Sequence, residues 1–280
     1  MSALSTRGLS KSFGSLVVAR DIALELPVGA RYALIGPNGA GKTTLINLMT
    51  GMLAPNAGQI FLGDEDITAL EPQDRVRRGL ARTFQINTLF AGLNALEAVT
   101  LAVCERRGIS GQFWRNVAVH REAVDEAYDI LTKLKLGDAC YQPTRELPYG
   151  RQRLLEIALA LATKPRVLLL DEPAAGVPQE ESGEIFEVVA GLSDDLTLLF
   201  IEHDMHVVFR FASHIIVLVG GAVFTEGSPA EIAADPGVRE KFLQQGAEPG
   251  VMPPAEAVKF VEAEMKKWGG IITKAGIPKL

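Results

Sequence analysis

Gly36-Pro37-Asn38-Gly39-Ala40-Gly41-Lys42-Thr43-Thr44 is the stretch from which the rest of the chain can be read. It fits the spacing GxxxxGK[ST]. Glycines at these places let the backbone wrap closely, so that its N–H groups point inward at phosphate oxygens. A helix starting near Lys42 would add its positive N-terminal end. Lys42 supplies a point charge for the β and γ phosphates of a nucleotide, and the Thr43 hydroxyl suits Mg²⁺. A chance match in a chain of this length is expected about once in a hundred. Here the match also sits between an apolar strand-like run and a helix, as the chemistry requires.

Working outward, Tyr32-Ala33-Leu34-Ile35 is short and wholly apolar before its turn, which suits a parallel strand buried on both faces. Val167–Leu170, Leu196–Ile201 and Ile215–Val219 are further runs of the same kind. Strands separated by helical stretches define an α/β parallel sheet. Upstream, Leu16–Ala19 and Ile22–Leu26 read as short strands, closed by a turn at Pro27-Val28-Gly29. From about Asp74 to Thr163 the pattern turns helical. Within it, Val124, Ala127, Tyr128, Leu131 and Leu134 fall on one stripe of a helix over Glu122–Leu136.

The bulk properties set limits. The 280 residues are 48% hydrophobic and 22% charged, an ordinary globular composition. No apolar run is long enough to span a membrane, and the first residues lack a signal-peptide core. We therefore expect a cytoplasmic protein, peripheral on the inner face of the cell membrane through partners. Cys104 and Cys140 form no metal-ligand pattern and read as reduced thiols. The net charge of −6 argues against nucleic acid as partner.

The run Val167–Leu170 ends in Asp171-Glu172-Pro173. Acids at the C-terminal end of a buried parallel strand lie where α/β sheets bind ligands. Asp171 is suited to hold Mg²⁺ through water. Glu172 is suited to act as general base on an attacking water. Asp171 as a helix cap is the plainer alternative.

With both motifs in hand, the chain resembles the ABC ATPase family over roughly residues 4 to 245. The resemblance implies a P-loop NTPase (RecA-like) α/β core with an N-terminal antiparallel β subdomain and an inserted α-helical subdomain over about 88–163. It implies ATP and Mg²⁺ as ligands. Phe13 falls where the family stacks an aromatic ring on adenine, though it reads equally as a core residue. Gln85 in Arg82-Thr83-Phe84-Gln85 matches the glutamine loop, which senses Mg²⁺ and the attacking water and links to the membrane subunits. His203 in Glu202-His203-Asp204 matches the switch histidine at the γ-phosphate. Leu147-Pro148-Tyr149-Gly150-Arg151 stands where the family has its signature loop, so Tyr149 and Gly150 are expected to reach the nucleotide of an opposite subunit.

Within the family, Gly79–Gln85, Tyr149-Gly150, Leu155-Glu156-Ile157-Ala158, Asp171–Gly176 and Glu202–Met205 look like the branched-chain amino-acid import type. Related systems carry urea, amides or aromatic acids. The implied partners are two integral-membrane permease subunits, a second ATPase subunit and, indirectly, a periplasmic solute receptor. A soluble ABC ATPase acting on DNA or ribosomes is the alternative.

Two departures stand out. Pro148 replaces the signature serine and offers neither hydroxyl nor N–H, while Arg151 replaces its glutamine and could return positive charge. Val177-Pro178-Gln179 lacks the usual aspartate of the next loop. In the family that the chain resembles, both altered stretches serve the opposite subunit's nucleotide. They fit an asymmetric dimer with a different ATPase, or a subgroup that tolerates these residues.

Residues 246–280 read as a linker and an amphipathic helix with Val258, Val261, Met265 and Trp268 on one stripe. Phe260–Trp268 and Lys274–Ile277 are similar to the C-terminal end of tricarboxylate-type periplasmic receptors, and a docking or dimer helix fits equally. Trimming the chain after Gly246 should leave ATPase activity intact. A truncated chain that no longer folds, read by circular dichroism, would refute the idea of a dispensable tail.

Overall fold

The computed structural model describes residues 2–83, 92–109 and 120–243. Gln85, the start of the helical insert at 88–91 and the tail at 246–280 lie outside the described residues. In chain order, β1 (Ser2–Phe13) and β2 (Leu16–Pro27) form a hairpin, and β3 (Arg31–Ile35) leads into the glycine-rich loop and α1 (Lys42–Thr50). Next come β4 (Ala57–Leu62), β5 (Glu65–Asp66), α2 (Pro72–Arg77) and β6 (Leu80–Arg82). The helices α3 (Ala95–Arg106), α4 (Arg121–Lys133) and α5 (Tyr149–Ala162) follow. The chain then runs through β7 (Val167–Asp171), α6 (Gln179–Ala190), β8 (Thr197–Ile201), α7 (Met205–Phe211), β9 (His214–Val219) and β10 (Ala222–Gly227). It closes with α8 (Pro229–Ala234) and α9 (Pro236–Leu243).

Two sheets result. One is antiparallel, in the order β2-β1-β4-β5. The other has the order β10-β9-β3-β8-β7-β6 and is parallel except at β10. Side chains of a strand alternate between faces, and the central strands show it. Leu169, Leu199, Leu34 and Ile216 join Leu45, Ile46, Leu48 and Met49 of α1 and the inner face of the antiparallel sheet. Leu168, Leu170, Leu198 and Phe200 face the other way, into a core shared with α3, α4 and α5. All five residues of β7 are buried, and each fully buried leucine there contributes about 1.5–3 kcal/mol.

Several expectations need correction. The runs at 16–19 and 22–26 are one strand, not two. Asp21 between them adopts φ 49°, and its N–H donates to Ser10 Oγ at 3.0 Å. The chain is irregular there yet keeps pairing with β1. The segment after Asp74 is not wholly helical, because Leu80, Ala81 and Arg82 pair in parallel with β7 as β6. Three residues carry too little pattern to signal a strand, and the partner is more than eighty residues away in sequence. The buried stripe of α4 is Ala123, Ala127 and Leu131, while Tyr128 is exposed.

The helical layer is pinned by one carboxylate. Glu126 of α4 accepts two bonds from Arg106 at 2.9 and 2.7 Å and one from Arg107 at 2.7 Å. Lys164, just beyond α5, stands 3.1 Å away. Arg106 foremost among them pulls the Glu126 carboxyl down to about 2. Glu126→Gln should lower stability near pH 7 by about 1.5–3 kcal/mol in urea unfolding. Because the folded pKa lies below the unfolded 4.5, the gap between wild type and variant should be full above 4.5 and shrink as pH falls toward about 2.

Candidate functional site

The loop between β3 and α1 is shaped by what its glycines must pass. A Cβ on Gly36 would lie 2.1 Å from the Leu218 carbonyl oxygen, and one on Gly41 2.5 Å from that of Val18. No side chain caps α1, and its first turn holds no acid. Its leading N–H groups are therefore left for an anion. Asn38 and Gly39 are exposed, Pro37 and Thr44 half-buried and Ala40 buried. Thr43 stands exposed at the first turn of α1.

Lys42 is buried and curls over its own loop. Its Nζ donates to the carbonyls of Gly36 at 2.6 Å and Pro37 at 3.1 Å. Burial lowers its pKa, and the nearby charges of Glu172 and Asp171 oppose that shift. Lysine, both acids and the loop therefore share one electrostatic neighbourhood.

Asp171 ends β7 with its side chain almost wholly buried. Its Oδ2 accepts from Arg82 Nη2 at 2.7 Å, and Arg82 Nη1 donates to Asn47 of α1. Arg82 is a site residue that the sequence reading missed. It stood in the quoted run before Gln85, but nothing in spacing announces that β6 will carry it to the end of β7.

Glu172 follows at φ 48°, a left-handed backbone that costs a non-glycine residue about 1–2 kcal/mol. Its N–H donates to Ile201 O at 3.1 Å, which holds the turn. The strained turn sends the carboxylate toward His203, whose Nε2 is 2.7 Å from Glu172 Oε1. Two residues quoted from separate motifs thus meet.

Glu202, between β8 and His203, is buried, and its Oε1 and Oε2 accept the N–H groups of Ala174 and His203 at 3.3 and 3.2 Å. Burial chiefly raises its pKa to about 7, Glu172 and Asp204 add to the rise, and the two N–H groups oppose it.

The remaining candidates lie apart. Phe13 is 51% exposed at the end of β1, with Lys11 Nζ 5.3 Å from its ring centroid, so it is no core residue. Tyr149 and buried Gly150 open α5, three residues earlier than the helix expected from Gln152. Pro148 caps the start with its fixed φ of −53° but no side-chain bond. Tyr149 packs on Gly176, where an added Cβ would come within 3.1 Å of the ring, and its hydroxyl meets Arg153 Nη2 at 2.7 Å. Arg151, which could return charge to this loop, pairs with Asp138 at 3.0 Å on the surface.

Fold and site together define an ATP-binding cassette. Residues 19–175 match the ABC transporter family, and the chain belongs to it. It is 36% identical over 249 residues to the high-affinity branched-chain amino acid transport ATP-binding protein BraF of Pseudomonas aeruginosa, covering 86% of this chain and 97% of that one. The corresponding LivG of Escherichia coli K12 is 36% identical over 247 residues, with the same coverage of 86% and 97%. The ADP conformation of MJ1267, an ATP-binding cassette of an ABC transporter, superposes with a TM-score of 0.76 at 31% identity, over 87% of this chain and 99% of that one. No described helix is long and apolar enough to cross a membrane.

Breaking a buried ion pair from one side is costly, because the other charge stays behind. Arg82→Met should destabilise the fold by about 3–5 kcal/mol, read by chemical denaturation. Arg82→Lys, which keeps a charge but not the fork, should recover part of that loss.

Proposed function

We propose that this chain is the ATP-hydrolysing subunit of an ABC importer for branched-chain amino acids or related small polar solutes such as urea, amides and aromatic acids. The observation that carries the reading is the Glu172–His203 bond of 2.7 Å at the end of β7, beside the charge of Lys42. A carboxylate held by an imidazole at that place is equipped to take a proton from water.

The substrate roles follow from position. Backbone N–H groups of the loop after Pro37 and of the first turn of α1 cradle the phosphates, Lys42 leaves its two carbonyl partners for the β and γ phosphates, and Phe13 offers its exposed ring to adenine. Glu172 orients and deprotonates the attacking water, while His203 holds Glu172 and then meets the γ-phosphate. Little covalent chemistry is asked of the protein, and the rate comes from positioning and charge stabilisation.

The oxygen-only set of the Thr43 hydroxyl, the Asp171 carboxylate and the Gln85 amide suits Mg²⁺, a hard cation that uses few protein ligands. When bound, it would neutralise charge on the phosphates. For Asp171 to serve it, Arg82 must share or release that carboxylate.

Residues 1–245 act as the ATPase domain. Tyr149 and Gly150 serve the nucleotide of a second ATPase subunit, identical or different. The pair drives two integral-membrane permease subunits on the inner face of the membrane, fed by a periplasmic receptor. The 36% identity to transport subunits over nearly their whole length supports this over a soluble DNA- or ribosome-directed ATPase.

Glu172→Gln should cut phosphate release at least about 100-fold while ATP binding persists. Unchanged turnover would remove the base assignment. Mild-detergent purification from native membranes should bring down two polytopic permeases. Recovery with ribosomal or DNA-bound proteins would sink the transporter reading.

A further inference from the structure

The hydrogen bonds around Glu202 close a ring. Glu172 meets His203 through side chains. The His203 N–H donates to Glu202, and Glu202 accepts in turn from Ala174, two residues beyond Glu172. A cavity of about 280 Å³ opens beside this ring, lined by Glu172, Ala174, Val177, Ser182, Glu202 and His203. A buried carboxylate is costly unless its lone pairs are used. Here each oxygen is committed to a backbone N–H, one from each of the two loops that carry the reacting side chains.

We propose that Glu202 is a positioning residue for ATP hydrolysis, a clamp that sets the turn of His203 against the loop of Glu172. This rests on Glu172 and His203 acting as read above. The clamp needs a good acceptor at both oxygens, which the ionised acid supplies best. Protonation leaves the hydroxyl oxygen a weaker acceptor, and an amide turns one arm into a donor facing a donor. The charged and titratable groups around it are Glu172 across the gap and His203 and Asp204 on its own turn. From α6 and α7, Ser182 and Val207 line the cavity and carry no charge. With its pKa raised to about 7 by burial first and Glu172 next, the clamp weakens as pH falls through neutrality.

The test is steady-state phosphate release by the full chain, with ATP varied, between about pH 6 and about pH 8, flanking the titration near 7. Glu202→Gln should lower kcat at least about tenfold at the alkaline end, since small misplacements of reacting groups cost that much or more. KM for ATP should stay within about twofold, because the phosphate loop is untouched. Wild type should lose activity toward acid with a midpoint near 7, and Glu202→Gln should lose that limb. Glu202→Asp keeps an ionisable acid with two acceptors and should keep the limb at a reduced rate. It decides the matter if the glutamine variant does not fold. A wild-type kcat in Glu202→Gln, a change in KM alone, or an acid limb surviving in that variant would overturn the clamp while leaving the ATPase reading standing. A wild type that binds ATP without releasing phosphate would overturn both.

Discussion

The parallel ladder that sets β3, β8 and β7 side by side governs everything at the site. Leu34 pairs with Ile201, and Ile201 pairs with Asp171. Parallel strands all end at the same edge, so the glycine-rich loop, Asp171-Glu172 and Glu202-His203 leave the sheet together. One residue of slippage would swap the two faces of a strand. Leu168 and Leu169 belong to different cores, so slippage would turn each into the wrong one. Register is thus enforced by burial far from the chemistry, and the site inherits its geometry from that packing.

Upon this edge the chain gathers charge in an unusually dry place. Lys42, Asp171 and Glu202 are buried and Glu172 is half-buried. Each is held by a specific partner: the loop carbonyls for Lys42, Arg82 for Asp171, His203 for Glu172, and two backbone N–H groups for Glu202. Such groups cost free energy when unpaired, so the resting state engages every one. Binding a nucleotide must therefore exchange partners rather than fill a passive hole. An anion at Lys42 would compete with its two carbonyl partners. The left-handed backbone of Glu172 adds strain that persists because the Ile201 carbonyl and His203 pin the residue from two sides.

Arginines join the layers. Arg82 links β6, β7 and α1, while buried Arg75 donates to Leu48 and Met49 carbonyls at the end of α1. The second set closes the last turn of the helix whose first turn follows the glycine-rich loop. Arg153 ties Tyr149 to Glu156 and reaches the Ala175 carbonyl at 3.5 Å, so the start of α5 leans on the loop after Glu172. That loop is thus tied directly to the face expected to meet a second subunit.

Much of this was legible in the residues alone. The loop at 36–44, the apolar runs of β3, β7, β8 and β9, and the acids after Leu170 are local patterns, because each depends on consecutive residues and their period. His203 could be marked by its place after an apolar run. What local pattern could not carry was contact across the fold. Strand β6 exists because β7 lies beside it, and β1 alternates polar and apolar residues around a left-handed Gly8 too irregularly to announce itself. Arg82 is ambiguous as a lone basic residue until pairing places it on Asp171. Glu202 is one more acid until burial removes its water. The sequence by itself determined which chemical groups are present and their order along the chain. Only the tertiary structure decided which of them meet and which are dry, because partner choice and desolvation are properties of packing between distant segments.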